Sequence, residues 1–225
     1  VLTLAIGLWY PGRFFAAEGG WNVLKVLILV DLILGPTLTL VVFRPGKKGL
    51  RFDLTIIALV QLAALAYGTS VIYSERPAFL VFNVDRFSIL SHDDIEIDRI
   101  PKDALQNALE HQGITVIFAE PPADPDERNR IMFEVLQNQG PDLEYRPERY
   151  RPYQAHIDAV LERGVDLTDL PNTAPLEAFV ARHGGTIADY AYIPVLGRNK
   201  DMLLGVARAA GQPIALINID PWPND

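Results

Sequence analysis

Residues 31–54, DLILGPTLTLVVFRPGKKGLRFDL, contain the end of one apolar segment, a short basic turn and the start of a second apolar segment. The two apolar segments run over 21–43 and 52–73. Each is about as long as the roughly 20 residues that a helix needs to cross the hydrocarbon core of a bilayer. The turn holds a proline, two glycines and four basic residues, which are Arg44, Lys47, Lys48 and Arg51. The stretch therefore predicts a transmembrane helical hairpin with a basic tip.

Residues 1–9, VLTLAIGLW, form a third apolar run that begins at the first residue of the sequence. This run is too short to span a bilayer as a helix, so we interpret it as the end of a first transmembrane helix whose start is missing. A cleaved signal peptide is the alternative, but no small-residue cleavage site of the A-x-A kind follows the run. We expect three transmembrane helices, at 1–9 (truncated), 21–43 and 52–73.

The basic turn also predicts the topology. Loops rich in lysine and arginine stay on the cytoplasmic side of a membrane, which places the turn in the cytoplasm. The loop at 10–20 and everything after residue 73 then lie on the opposite side. Trp9, Tyr10 and Trp21 flank that loop, as expected for aromatic residues at a membrane–water interface. In a bacterial inner membrane the C-terminal part would lie in the periplasm.

Charge divides the chain into two parts near residue 74. Residues 1–74 carry six basic and three acidic side chains, whereas 75–225 carry 14 basic and 25 acidic ones, a net charge of −11. We therefore expect a transmembrane helical domain at 1–74 and a periplasmic α/β domain at 75–225. The acidic charge of the second domain argues against nucleic acid and anionic lipid as its partners. The chain has no cysteine, which excludes disulfides and thiolate metal sites.

The second domain shows the pattern of a mixed α/β fold. Short β-rich runs bounded by turn residues predict strands, and segments that open after proline and close at glycine predict helices. The predicted strands are 78–84, 87–90, 114–119, 190–196, 202–209 and 213–219. The first two are joined tightly through Asp85 and Arg86, and the last two form a hairpin. The predicted helices are 101–112, 124–139, 153–163 and 175–183.

Asp31 is a carboxylate in the middle of an apolar segment, where insertion of an aspartate costs about 2.5–3.5 kcal/mol. Such a residue faces protein or water, and we consider a polar contact within the helical bundle, a surface for another protein's helix, and a proton relay. Pro36 predicts a kink one turn further along. Small residues and one amide share a face of the third helix, a pattern that favours close helix packing in lipid. The candidate helix-binding residues are Asp31, Gly35, Pro36, Gln61, Ala64 and Gly68.

A second candidate contact is the loop at 141–152, in which arginines alternate with tyrosines. This loop either binds a partner on the periplasmic side or is a solvated loop whose tyrosines anchor it to its own domain. Its candidate partner-binding residues are Tyr145, Arg146, Arg149, Tyr150 and Arg151.

No sequence motif points to an enzyme, and we expect no catalytic residue, metal or cofactor. The four histidines are scattered without the spacing of metal ligands, and no G-x-S-x-G is present. The glycines and lysines at 46–49 lack the spacing of a phosphate-binding loop, so they are read as a basic turn.

Four stretches resemble a known family. They are WYPGRFFAAEGGW (9–21), DLILGPTLTLVVFRPGKK (31–48), DLTIIALVQLAALAYG (53–68) and RPAFLVFNVDRF (76–87). Together they resemble the TfpX/TfpZ family of type IV pilin accessory proteins, most densely over residues 9–90. The resemblance implies a multi-pass protein of the bacterial inner membrane with a periplasmic domain. It also implies a role as a pilin-specific chaperone or stabiliser before pilus assembly, with the major pilin as partner.

An alternative function is a membrane-anchored periplasmic sensor or a transport-complex subunit, with Asp31 as an intramembrane acid. A transport role predicts further ionisable groups at membrane depth, and the sequence offers only the interfacial Lys25 besides Asp31. A sensor needs a cytoplasmic output element, for which the short basic turn is too small.

Overall fold

The apolar N-terminal part of the chain forms helices. The computed structural model describes residues 6–7, 9–29, 33, 35–42, 49–170 and 172–222. The N-terminal helices are α1 (Phe14–Ala17), α2 (Gly20–Leu29), α3 (Gly35–Val42) and α4 (Leu50–Ser74). Among the described residues, α4 alone is long and apolar enough to cross a membrane by length and composition. The predicted helix at 52–73 is thus confirmed as a helix, whereas three membrane-spanning helices remain a prediction.

Helix α4 has the surface of a helix that is surrounded by apolar material. Phe52, Leu62 and Tyr67, which lie far apart along its 25 residues, are all largely exposed. A helix that is apolar all round, rather than along one stripe, is typical of a membrane span or of a buried helix. Because α4 exposes these side chains, it fits a membrane anchor.

Residues 75–222, which we call the head, form a mixed α/β structure, as predicted. Its described residues contain an eight-stranded sheet with the order β3-β4-β1-β2-β6-β7-β8, and β5 also pairs with β4. The strands are β1 (Phe79–Asn83), β2 (Arg86–Leu90), β3 (Leu109–His111), β4 (Ile114–Ala119), β5 (Tyr150–Pro152), β6 (Tyr190–Leu196), β7 (Met202–Ala207) and β8 (Gln212–Ile217). The α-helices of the head are α5 (Lys102–Gln106), α6 (Pro125–Leu136), α7 (Ile157–Leu161) and α8 (Ala174–His183).

One predicted helix is partly wrong. The segment 101–112 is helical only in α5, and its last residues form β3, which pairs with β4 in an antiparallel hairpin. Gln112 and Gly113 connect these strands with φ values of 54° and 82°. Two consecutive residues with positive φ are typical of a tight hairpin turn, so Gly113 belongs to a turn and does not end a helix.

The sheet has apolar residues on both faces. One continuous cluster includes Leu80 of β1, Val116 of β4 and Leu216 of β8, so it extends across almost the whole sheet. The imidazole of His111 in β3 lies near the backbone of Ile214 in β8, so the two edges of the sheet approach each other. The sheet therefore curls around this cluster. Two smaller clusters lie elsewhere, one beside α5 and one beside α8.

Strand direction decides what lies at each end of the sheet. Strand β1 begins shortly after α4 and runs antiparallel to β2, and β6 runs parallel to β2. The start of β1 and the ends of β2 and β6 therefore lie at one end of the sheet, near α4. The carboxyl ends of the parallel strands β1 and β4 lie at the opposite end.

Candidate functional site

The predicted contact residues of the third helix lie on α4. Gln61 is half-buried and lines an open cavity of about 380 Å³, whereas Ala64 is exposed and Gly68 is buried. Helix α4 packs against both α2 and α3. Part of the predicted face is thus covered within the chain, and the part around Gln61 stays open. Whether this face binds another protein remains a prediction.

The remaining predicted residues of the membrane part are described only in part. Gly35 and Pro36 are the first two residues of α3. Arg51 is exposed in the first turn of α4. Asp31 of the helix-binding set, and Arg44, Lys47 and Lys48 of the basic turn, lie outside the described residues.

The predicted partner loop of the head makes most of its contacts within the head. Tyr150 is fully buried, and its hydroxyl donates a hydrogen bond to the carbonyl of Glu144. Each of the three arginines forms an ion pair with an acidic residue of the same domain. The pairs are Arg146–Glu134, Arg149–Glu127 and Arg151–Glu120. Tyr145 is the one predicted residue of this loop with substantial exposure, at 41%. This arrangement favours the interpretation of an anchored loop.

A junction between the N-terminal segment and the head is a feature that the sequence did not predict. The turn between β6 and β7 contacts the segment that contains α1. The backbone N–H groups of Asn199 and Lys200 both donate to the carbonyl of Ala17, at 2.9 and 3.1 Å. Gly197 allows this close approach, since a Cβ there would lie 2.6 Å from the carbonyl oxygen of Lys200 and 2.8 Å from that of Ala17.

Arg198 joins three parts of the chain at this junction. Its guanidinium pairs with Glu18 beside α1 at 3.6 Å, with Glu75 just after α4, and with Asp94 after β2 at 2.6 Å. Asp94 is itself held by Ser91, whose backbone N–H and hydroxyl both donate to its carboxylate, at 2.7 and 2.8 Å. One cation thus ties the N-terminal segment, the end of the long helix and the sheet together.

Glu18 is a buried carboxyl at the centre of this junction. Its side chain is 5% exposed. Burial raises the pKa of Glu18 to about 7, although Arg198 opposes the shift through its backbone N–H and its charge. Burial has the larger effect on the pKa because Arg198 is shared among three carboxylates. Its positive charge therefore only partly stabilises the ionised form of each one.

Apolar contacts strengthen the same junction. Tyr10, Phe14 and Ala17 belong to the main core cluster of the head, as does Ile72 of α4. The Tyr10 hydroxyl donates to the Ile72 carbonyl at 2.8 Å, and burial raises the pKa of Tyr10 to about 12. The loop at 10–20, predicted as a simple connection between membrane helices, therefore contributes to the core of the head.

A second unpredicted feature is an apolar groove in the head, which we call the distal groove. It has a volume of about 590 Å³ and lies at the carboxyl ends of β1 and β4, between α6 and α7. Ligands of open α/β sheets bind at this end of parallel strands. Its walls are mostly apolar and include Val84, Phe118, Ile131, Met132, Val135 and Leu136. An apolar pattern within the predicted helix 124–139 is the sequence signal that could have indicated it.

A buried polar cluster lies at the base of the distal groove. The carboxylate of Glu144 accepts hydrogen bonds from the Asn83 side-chain amide and, at 3.3 Å, from the Ser88 hydroxyl. All three residues are buried, and burial raises the pKa of Glu144. Asn83 also lines the groove, and its Oδ1 atom has no hydrogen-bond partner among the described residues. This Oδ1 atom is itself buried.

Neither feature has the composition of a metal centre. Within the described ranges, no group of three or more histidine or acidic side chains is arranged to hold a metal ion.

Comparison with known proteins identifies relatives by sequence. No family model and no solved structure matches the chain. It is 27% identical over 167 residues to the fimbrial assembly protein of serogroup I of Dichelobacter nodosus, and 27% identical over 156 residues to that of serogroup E1. These matches cover 71% and 68% of the chain, and the chain spans 64% and 60% of the two relatives' length.

A shorter relative is covered more completely. The chain is 34% identical over 108 residues to the fimbrial assembly protein of serogroups C1 and C2 of the same organism. The match includes 45% of the chain and 82% of that relative. At this identity and coverage, the chain belongs to the family of fimbrial assembly proteins.

Proposed function

We propose that the chain is an accessory protein of type IV pilus biogenesis that holds a pilin before its assembly into the fibre. Membership of the fimbrial assembly family is the observation that carries this proposal. The resemblance to the TfpX/TfpZ family adds the finer assignment of a pilin-specific chaperone or stabiliser without catalytic activity. The proposed location is the bacterial inner membrane, with several membrane-spanning helices and the head in the periplasm.

The junction supports a holding function. A pilin in the membrane has an apolar helix and a head outside the bilayer, so a protein that holds both needs two parts in a fixed relation. The Arg198 ion pairs and the two hydrogen bonds to Ala17 connect the membrane-side segment to the head in this way. Gln61, Ala64 and Gly68 are the proposed contacts for the pilin's apolar helix, together with Asp31, Gly35 and Pro36.

Photo-crosslinking in cells tests the holding function. A photoreactive amino acid replaces Gln61 in one strain and Val60 in another, and each strain is compared with and without the major pilin. Val60 is the matched control because it is exposed on the same helix but about 100° away. We expect a pilin-dependent adduct from position 61 and little from position 60. Adducts with only this protein or unrelated membrane proteins would overturn the proposed contact.

Two further measurements separate contact from function. Deleting the protein should lower the steady-state level of the pilin if the protein stabilises it. Replacing Asp31 with leucine, at an unchanged level of the protein, should weaken co-purification of the pilin. An unchanged pilin level in the deletion strain would contradict the stabilising function, and unchanged co-purification would remove Asp31 from the contact.

A further inference from the structure

We propose that the junction is a pH-sensitive latch, which holds the 10–20 segment on the head when Glu18 carries a proton and opens more often when Glu18 is ionised. This device goes beyond the proposed function, because it depends only on contacts within this chain. Three features of the junction carry it. They are an excess of carboxylates over cations, the burial of the carboxyl with the most distant partners, and the loss of that burial when the segment leaves the head.

The junction holds more acidic than basic groups around one cation. Glu18, Glu75 and Asp94 all pair with the single guanidinium of Arg198. One positive charge does not compensate three ionised carboxylates, so ionisation of all three leaves excess negative charge at the junction. The titratable and charged groups of the elements around Glu18 are Tyr10 in its own segment, Glu75 and Arg76 after α4, His92 and Asp94 after β2, Tyr145 before β5, and Arg198 and Lys200 in the β6–β7 turn.

Glu18 is the most buried of the three carboxyls and has the most distant partners. Its side chain is 5% exposed, whereas those of Asp94 and Glu75 are 21% and 43% exposed. Asp94 accepts from one nitrogen of the Arg198 guanidinium at 2.6 and 2.7 Å, and also from Ser91. Glu18 lies 3.6 Å from the same guanidinium, and the Arg198 backbone N–H reaches it only at 3.4 Å. Burial with distant partners disfavours the ionised carboxylate, in agreement with the raised pKa of Glu18.

The other groups around Glu18 do not supply a second cation for it. The guanidinium of Arg76 lies 3.8 Å from the centre of the Tyr73 ring and donates to the Tyr73 carbonyl at 2.8 Å. Lys200 is exposed and forms no ion pair among the described residues. Burial and the charge of Arg76 lower the pKa of His92 below its ordinary value, and burial raises the pKa of both nearby tyrosines. Glu18 is therefore the group of the junction that loses its proton close to pH 7.

Departure of the segment from the head returns Glu18 to water, where its pKa is the ordinary 4.5. The docked form keeps its proton up to about pH 7, whereas the open form releases it above 4.5. Docking is therefore tightest below pH 4.5 and weakens as the pH rises to about 7. The two pKa values correspond to a change of roughly 300-fold in the open fraction over the whole range, and of roughly tenfold between pH 6 and 8. The buried rings of Phe14 and Phe15 keep the open fraction small at every pH, and Glu18 determines how it changes with pH.

Hydrogen exchange in the full-length protein tests the latch. The amides of Asn199 and Lys200 report it directly, because both donate to the Ala17 carbonyl. Their protection is measured in detergent micelles, with correction for the intrinsic exchange rate at each pH. We expect it to fall roughly tenfold between pH 6 and 8, and to be lower at both pH values than that of Leu204 in the core of β7. Protection that is the same at pH 6 and 8 would overturn the latch. Equal protection at all three amides would also overturn it, because the junction would then open only when the whole head unfolds.

Two substitutions identify the group that binds the proton. Glu18→Gln keeps the size of the side chain and removes its titration, so the protection of the two amides should change less than twofold between pH 6 and 8. Glu75→Gln is the matched control, because Glu75 pairs with the same arginine but is 43% exposed, and this variant should keep the roughly tenfold change. A tenfold change that persists in Glu18→Gln would contradict the latch. The measurement on the unaltered protein at two pH values tests the latch even where a variant does not fold.

Discussion

The substitution Gly197→Ala should separate the N-terminal segment from the head. A Cβ at this position would lie 2.6 Å from the carbonyl oxygen of Lys200 and 2.8 Å from that of Ala17. Both atoms belong to the backbone, so no side-chain rotation relieves the contact. Movement of the 10–20 segment relieves the contact with Ala17, and a change of the β6–β7 turn relieves the contact with Lys200. Both movements disturb the hydrogen bonds that join the turn to Ala17.

The cost of that movement follows from the contacts that break. The carbonyl of Ala17 accepts two backbone hydrogen bonds from this turn. Each contributes about 0.5–1.5 kcal/mol to stability. Overpacking by one methyl group adds about 1–3 kcal/mol. We therefore expect the docked state to lose about 2–6 kcal/mol, and the lower value already raises the open fraction roughly thirtyfold.

The open fraction can be measured through a single introduced thiol, because the chain has no natural cysteine. Ala17→Cys places one thiol in the docked segment, where Ala17 is 1% exposed, and its rate of reaction with a maleimide reports the open fraction. The matched control is Gly164→Ala, because a Cβ there meets its nearest atom at an ordinary 3.6 Å. Faster labelling in the Gly197→Ala protein than in the control is expected. Equal labelling rates in the two proteins would refute the reasoning about the junction.

Two other predictions concern buried groups. Because the folded Glu18 carboxyl has a pKa of about 7, it retains a proton that the unfolded chain releases above pH 4.5. Stability should thus fall as the pH rises from about 4.5 to 7, by up to about 3 kcal/mol. Thermal unfolding at pH 5 and pH 8 should therefore show a smaller loss of stability in Glu18→Gln than in the unaltered protein. An identical loss in the two proteins would contradict the prediction. Tyr153→Phe removes a hydroxyl that donates to the buried Gly211 carbonyl at 2.7 Å, and should cost about 1–2 kcal/mol in chemical denaturation. Tyr67→Phe, at a 74% exposed position, is its control, and equal midpoints for the two variants would show that the buried bond is unimportant.

Local sequence patterns predicted most of the elements of the head. The β1–β2 and β7–β8 hairpins were predicted from β-rich runs separated by turn residues, and the structure has both. The error at 101–112 shows the limit of this approach. A glycine after an apolar segment fits both a helix end and a hairpin turn, and only pairing with β4 distinguishes them.

The candidate sites were predicted less completely because they depend on contacts between distant residues. The arginines of the 141–152 loop were candidate partner contacts, and their carboxylate partners lie on α6 and after β4. Tyr150 was expected either to contact a partner or to anchor the loop to its own domain, and it is buried. In contrast, Met132 and Leu136 lie in a segment that was predicted only as a helix, and the fold leaves them exposed.

The sequence by itself determined the apolar helix that fits a membrane anchor, the mixed α/β head and the family, because each depends on local composition or on similarity along the chain. The tertiary structure alone decided the junction and the distal groove. Arg198 meets Glu18 across 180 residues, and the groove combines the ends of two strands with two helices. Such contacts depend on how the sheet curls and which way its strands run. No local pattern encodes those features, so the residues that join or expose surfaces become visible only in the folded chain.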